Sequence, residues 1–90
     1  MSEQKSALIT GCSDGGIGAA LARVLKDRGF RVFATARKLE KMKLLQELEC
    51  DCLILDVEDE TTIRAASEEV RKLTGGKLDL LINNAGISMI

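Results

Sequence analysis

Four short apolar runs alternate along this chain with three stretches in which apolar residues recur at helical spacing. That alternation is the pattern of β-α-β units, and it leaves few architectures open. Ala7-Leu8-Ile9 reads as a strand that is apolar on both faces, as a strand inside a parallel sheet must be. Ile17, Ala20, Leu21, Val24 and Leu25 fall at i, i+3, i+4, i+7 and i+8, which predicts one helical face packed on that sheet. Gly29 follows as a left-handed helix end. Arg31 to Thr35 predicts a second strand, and Leu39, Met42, Leu45 and Leu48 a shorter second helix. Cys52 to Leu55 predicts a third strand, ending at Asp56-Val57. Ile63, Ala66, Val70 and Leu73 place a third helix, stopped by Gly75-Gly76. Leu78 to Ile82 predicts a fourth strand, running into Asn83-Asn84-Ala85-Gly86.

At 90 residues the chain is one small domain or a piece of one. A chain this short buries only about 60–65% of its unfolded surface, so its stability is thin. With 46% apolar and 30% charged residues it suits a globular protein rather than a disordered one. A net charge of −1 gives no reason to expect a polyanionic partner such as nucleic acid. The first residues carry charge but no apolar stretch of signal-peptide length, and no apolar run approaches the ~20 residues of a membrane helix. These features predict a soluble, cytoplasmic protein. Cys12, Cys50 and Cys52 are an odd number with no histidine to complete a zinc site, so they read as buried or half-buried thiols in a reducing compartment.

Between the first strand and the first helix lies Thr10-Gly11-Cys12-Ser13-Asp14-Gly15-Gly16-Ile17-Gly18. A strand-to-helix turn aims backbone N–H groups and the positive helix end at one point, which favours a pyrophosphate. Glycine permits the tight turn, and its missing side chain lets a phosphate approach the backbone. The plainer reading is a glycine turn with a packing role alone. No Gly-Lys-Ser/Thr closes the loop, which argues against a nucleotide triphosphatase of the P-loop type.

The end of the second strand bears on which dinucleotide is bound. An NAD-preferring site places Asp or Glu about 20 residues after the glycines, to hold the ribose 2′-hydroxyl. Here Ala34-Thr35-Ala36 occupies that stretch and Arg37 follows. An acid would repel a 2′-phosphate, whereas a guanidinium grips it with a planar fork of donors. Lys38 and Lys41 add positive field nearby. This chemistry favours NADP(H); the plainer reading of Arg37 is a surface charge at a helix start.

Four pieces together resemble the short-chain dehydrogenase/reductase family in order and spacing. They are the Thr-Gly…Gly-Ile-Gly loop, the Ala-Thr-Ala-Arg strand end, Leu55-Asp56-Val57, and Asp79-Leu80-Leu81-Ile82-Asn83-Asn84-Ala85-Gly86. In detailed wording the loop and the Val-Phe-Ala-Thr-Ala-Arg strand are similar to the NADPH-dependent 1-acyldihydroxyacetone-phosphate reductase branch of that family. The resemblance covers nearly the whole chain. It implies an α/β fold, a Rossmann-type parallel sheet with flanking helices, β-α-β-α-β-α-β, strand order 3-2-1-4. Residues 1–90 would then be the NADP(H)-binding half-domain of the complete fold. It also implies roles: Gly11, Ser13, Gly16 and Ile17 line the pyrophosphate and adjoining ribose, and Arg37 meets the 2′-phosphate. Asp56 accepts from the adenine amino group with Val57 beside it, and Asn83, Ala85 and Gly86 pass their backbone along the adenosine ribose. The plainer readings are that Asp56 caps a helix and that Asn83 and Asn84 form a turn satisfying its own backbone. Asp79 is assigned to structure.

The loop departs from the family pattern in one respect. The usual spacing has three residues between the first two glycines; the stretch from Gly11 to Gly16 holds four, and Asp14 is acidic. Asp14 would sit badly against phosphates, so it is expected to turn outward or cap the helix that follows. The family reaction moves a hydride between nicotinamide and a carbonyl or alcohol carbon. A tyrosine supplies the proton, a lysine lowers its pKa, and a serine and an asparagine assist. This chain contains no tyrosine and no histidine, so the family's acid–base step has no donor within it. Two readings follow. One is the front part of an NADPH-dependent reductase whose small-molecule carbonyl substrate is met only by the complete protein. The other is a truncated, non-catalytic nucleotide-binding or interaction fragment. A Tyr-x-x-x-Lys encoded after Ile90 separates the first from the second. A methyltransferase half is disfavoured, since its second strand would end in an acid. With no fifth strand beside it, strand four is expected to be an open edge prone to self-association.

Overall fold

The computed structural model describes residues 4–84. Strand β1 (Ser6–Ile9) leads through the glycine loop into helix α1 (Ile17–Asp27), and β2 (Arg31–Ala36) follows. A 3-10 turn (Leu39–Met42) runs directly into a short helix α2 (Lys43–Glu47). Strand β3 (Asp51–Ile54), helix α3 (Glu60–Thr74) and strand β4 (Leu80–Ile82) complete the described chain. The four strands form one parallel sheet in the order β3-β2-β1-β4, as the family resemblance implies.

The inner strands are buried on both faces, which is why they are written almost wholly in apolar residues. On one face Ile9, Val32, Ala34 and Ala36 pack with Cys12, Ala22, Met42, Leu45 and Cys50 beneath α1 and α2. On the other, Leu8 and Phe33 meet Val70 of α3. Phe33 and Ile9 are fully buried, and each such side chain is worth roughly 1.5–3 kcal/mol relative to exposure. Ser6 and Thr35 are the buried polar residues of these two strands, and the Thr35 hydroxyl donates to the Ile9 carbonyl at 3.1 Å.

Helix α1 corrects the face predicted for it. Gly18 and Ala22 are its buried residues, whereas Ile17 and Val24 are 70% and 50% exposed. The small side chains let the helix axis approach β1 and β2 closely; of the predicted stripe Leu25 still packs against the core, while Ile17 and Val24 face away from this sheet. In the later segments the predicted helical residues do meet the sheet, Met42 and Leu45 on one face and Val70 on the other. Gly75, at φ +71, closes α3 in the left-handed conformation.

Strand limits shift slightly at both ends. Strand β3 starts at Asp51, and Leu55 donates its N–H to Ala36 at 2.9 Å after the strand has ended. Strand β4 starts at Leu80 rather than Leu78, because Asp79 is spent on a closure: its N–H donates to the Ser6 carbonyl at 3.1 Å, and its carboxylate accepts the Ser6 N–H at 2.9 Å. That contact gives Asp79 the structural role expected of it. Among the described residues no helix is long and apolar enough to cross a membrane.

Candidate functional site: the glycine loop and the strand ends

The carboxyl ends of the parallel strands and the N-terminus of α1 meet at one edge of the sheet, where α/β folds bind ligands. The glycine loop is stitched to two neighbouring strands there. Thr10 donates its N–H to Ile82 at 3.0 Å, and Cys12 donates its N–H to Thr35 at 2.8 Å. Gly11 and Gly15 have φ of +70 and +84, a backbone conformation that side chains disfavour. At Gly18 the requirement is one of space: a Cβ would collide with the Gly11 carbonyl and lie 2.9 Å from the Asn84 amide nitrogen.

The two long helices begin in opposite ways. Helix α3 is capped by the Asp59 side chain, which accepts from Thr61 N–H, and it carries Glu60 in its first turn. Helix α1 has Gly16 at its N-cap, no side-chain cap and no acid in its first turn. The first-turn N–H groups of α1 therefore have neither an intrahelical carbonyl nor a side chain of their own to bond. A positive helix end left open under a glycine loop is suited to an anion. Gly16, Ser13 and Ile17 are all exposed around it.

Asp14 neither points at this anion position nor caps α1. Its carboxylate accepts Lys43 N–H at 3.2 Å and Leu44 N–H at 3.4 Å, so it caps α2 from a distant part of the chain. Its own N–H donates to the Lys41 carbonyl at 2.7 Å. Sequence spacing flagged Asp14 as an extra residue but could not reveal this partner.

Arg37 leaves β2 with a side chain that is 77% exposed, and its Nε lies 3.7 Å from Asp56 Oδ2. Asp56 does not cap α3, since Asp59 holds that position. Its Oδ1 accepts Glu58 N–H at 3.0 Å, and Thr62 Oγ1 accepts the Asp56 N–H at 2.9 Å. Val57 is exposed beside it, as are Lys38 and Lys41 on the segment after Arg37. The asparagines bond outside their own turn. Thr10 Oγ1 donates to Asn83 Oδ1 at 3.2 Å, and Asn84 Nδ2 donates to the Gly11 carbonyl at 3.1 Å. Both thus tie the end of β4 to the glycine loop. Ala85 and Gly86 lie outside the described residues.

The thiols are not poised for nucleophilic chemistry. Cys12 and Cys50 are buried and Cys52 is half-buried. Burial pushes both the Cys12 and the Cys52 thiols up to about 11, and for Cys52 the neighbouring Cys50 and Cys12 add to it. Burial raises Cys50 as well, against the opposing charge of Lys26. No cluster of metal-ligating side chains occurs among the described residues.

Comparison with known proteins agrees with this geometry. The family model described as short chain dehydrogenase matches residues 5–90. The chain is 61% identical over 85 residues to the short-chain dehydrogenase PC-15 of Penicillium crustosum, covering 93% of this chain and 31% of that protein. It is 52% identical over 86 residues to the NADPH-dependent 1-acyldihydroxyacetone phosphate reductase of Schizosaccharomyces pombe, covering 96% of this chain and 29% of that one. Among solved structures it resembles YwfH, an NADPH dependent reductase involved in bacilysin biosynthesis, at 29% identity and a TM-score of 0.76, over 91% of this chain and 37% of that one. The chain thus spans 29–31% of the length of these two curated relatives.

Proposed function

This chain belongs to the short-chain dehydrogenase family of oxidoreductases, and we propose that its 90 residues form the NADP(H)-binding half-domain of a cytoplasmic member that reduces a carbonyl or oxidises an alcohol. The observation that carries the reading is the pairing of an open, acid-free α1 N-terminus with a largely exposed arginine at the end of β2. The first would receive a pyrophosphate and the second a 2′-phosphate. In this reading Gly11, Ser13, Gly16 and Ile17 surround the diphosphate, and at the glycines no Cβ obstructs it. Arg37 holds the 2′-phosphate, with Lys38 and Lys41 adding field. Asp56 and Val57 receive the adenine, and Asn83, Ala85 and Gly86 supply backbone along the ribose. When bound, the dinucleotide supplies or accepts the hydride. The proton-transferring groups belong to the part of the relatives that these residues do not span. The relative in Schizosaccharomyces pombe is named for NADPH and for 1-acyldihydroxyacetone phosphate, a ketone, which supports the cofactor and a carbonyl substrate class.

A second reading is a nucleotide-binding or interaction fragment without catalysis. The two are separated by whether a Tyr-x-x-x-Lys is encoded downstream in frame.

The cofactor reading is tested by measuring NADPH and NADH binding to the parent and to Arg37→Glu. A charge-assisted hydrogen bond is worth about 1.5–3 kcal/mol, so NADPH is expected to lose roughly 10- to 100-fold more affinity than NADH. Equal losses would mean that Arg37 does not meet the 2′-phosphate.

A further inference from the structure

The glycine loop and the segment that starts at Arg37 come from different β-α units, yet they are joined through Asp14. Three hydrogen bonds make the joint. Asp14 N–H donates to the Lys41 carbonyl at 2.7 Å, and its carboxylate accepts Lys43 N–H at 3.2 Å and Leu44 N–H at 3.4 Å. Helix α2 has Met42 at its N-cap and no side-chain hydrogen bond from that residue, so Asp14 supplies the cap that α2 does not provide for itself. The segment between Arg37 and Lys43 is thus held at one end by β2 and at the other by the glycine loop. Within it, Lys41 N–H donates to the Lys38 carbonyl at 3.2 Å, and Gln46 Nε2 of α2 donates to the Leu39 carbonyl at 2.8 Å.

We propose that Asp14 is a positioning residue for cofactor choice. By fastening the 2′-phosphate-reading segment to the pyrophosphate loop, it fixes the separation between Arg37 and the α1 N-terminus. This rests on the NADP(H) reading above. The extra loop residue gains a purpose by it: one side chain bridges 29 and 30 residues of sequence. The acid is also disarmed as a repellent, since its oxygens face two backbone donors at a positive helix start. Pre-positioning the segment removes ordering that binding would otherwise have to supply, and only a ligand carrying the 2′-phosphate benefits.

The test is calorimetric binding of NADPH and NADH to the full chain as parent, Asp14→Ala, Asp14→Asn and Arg37→Ala, with thermal melts of each. Asp14→Ala is expected to lower NADPH affinity about five- to tenfold and NADH affinity less than about twofold. Asp14→Asn retains an acceptor oxygen and is expected to keep the cofactor preference within about twofold of the parent. Should Asp14→Ala fail to fold, Asp14→Ser decides in its place: its one short hydroxyl cannot serve both Lys43 N–H and Leu44 N–H, so the same selective loss of NADPH is expected, and affinities equal to the parent's would overturn the proposal. A rise in NADPH affinity in either variant would show that Asp14 repels the phosphate, and would overturn the proposal. Equal losses for both cofactors, or a lower melting temperature with unchanged affinities, would reduce Asp14 to a structural brace and overturn it too. Arg37→Ala separates the two levels. If it also affects both cofactors alike, the NADP(H) reading itself fails; if it is selective while Asp14→Ala is not, only the role of Asp14 falls.

Discussion

Arg37 Nε lies 3.7 Å from Asp56 Oδ2, so the residues leaving two neighbouring strands, β2 and β3, form an ion pair across the proposed adenosine site. The arginine is largely exposed, and pairs of this kind contribute about 0–1 kcal/mol. The pair is therefore better understood as a resting arrangement than as a stabilising clamp. Asp56→Asn should leave stability within about 1 kcal/mol of the parent. The new amide would keep its oxygen on Glu58 N–H, where Asp56 Oδ1 now accepts, and turn its NH2 toward the adenine amino group. NADPH and NADH share that adenine, so both should weaken together, by about tenfold for a lost 1.4 kcal/mol. Selective loss of NADPH would show that Asp56 acts by orienting Arg37 instead.

Gly18→Ala should be among the most damaging single substitutions. Its Cβ meets the Gly11 carbonyl, which is backbone, and the Asn84 side chain that bonds the same carbonyl. Overpacking of this sort costs about 1–3 kcal/mol, a large fraction for so small a unit. Urea titration followed by circular dichroism measures it. A midpoint equal to that of the parent would show that α1 can move away from the loop freely.

The buried thiols predict an alkaline limit to stability. Burial holds the Cys12 and Cys52 pKa values at about 11, above the ordinary 9.0. The folded state therefore disfavours the thiolate. Its stability from these groups is complete below pH ~9 and lost as pH rises toward ~11. Melting temperature should fall through that window, and Cys12→Ser with Cys52→Ser should flatten the fall. At pH 7.5 the native chain should also react with iodoacetamide far more slowly than the urea-unfolded chain. Equal rates would contradict the burial of these sulfurs.

Strand β4 is hydrogen-bonded to β1 alone among the described strands, and Leu81 on it is 63% exposed. An apolar strand edge invites pairing with another copy. The chain is expected to elute from size-exclusion chromatography at apparent masses that rise with concentration, and Leu81→Lys should shift it toward monomer. A parent that stays monomeric at every concentration would show that the edge is protected in solution.

Residue type and local spacing were enough to determine the order of elements, the parallel sheet, the place of the glycine loop and the arginine that stands where an acid would select NAD. Each depends on periodicity or on the chemistry of a few adjacent residues, which a chain carries in its own order. Three features were decided only by packing. Helix α1 has apolar residues on more than one stripe, and periodicity cannot say which is covered. The close approach permitted by Gly18 and Ala22 chose theirs and left Ile17 and Val24 facing outward. Asp14 and Asp56 are short carboxylates that accept from whichever backbone donors tertiary structure brings near. Their partners are Lys43 and Leu44 for one, Glu58 and Arg37 for the other. Asn83 and Asn84 read locally as a self-contained turn, but the neighbouring β1 placed Thr10 and Gly11 within reach of their side chains. A polar side chain satisfies its hydrogen bonds with what lies beside it in space, and for these residues that neighbour is settled only when the sheet has formed.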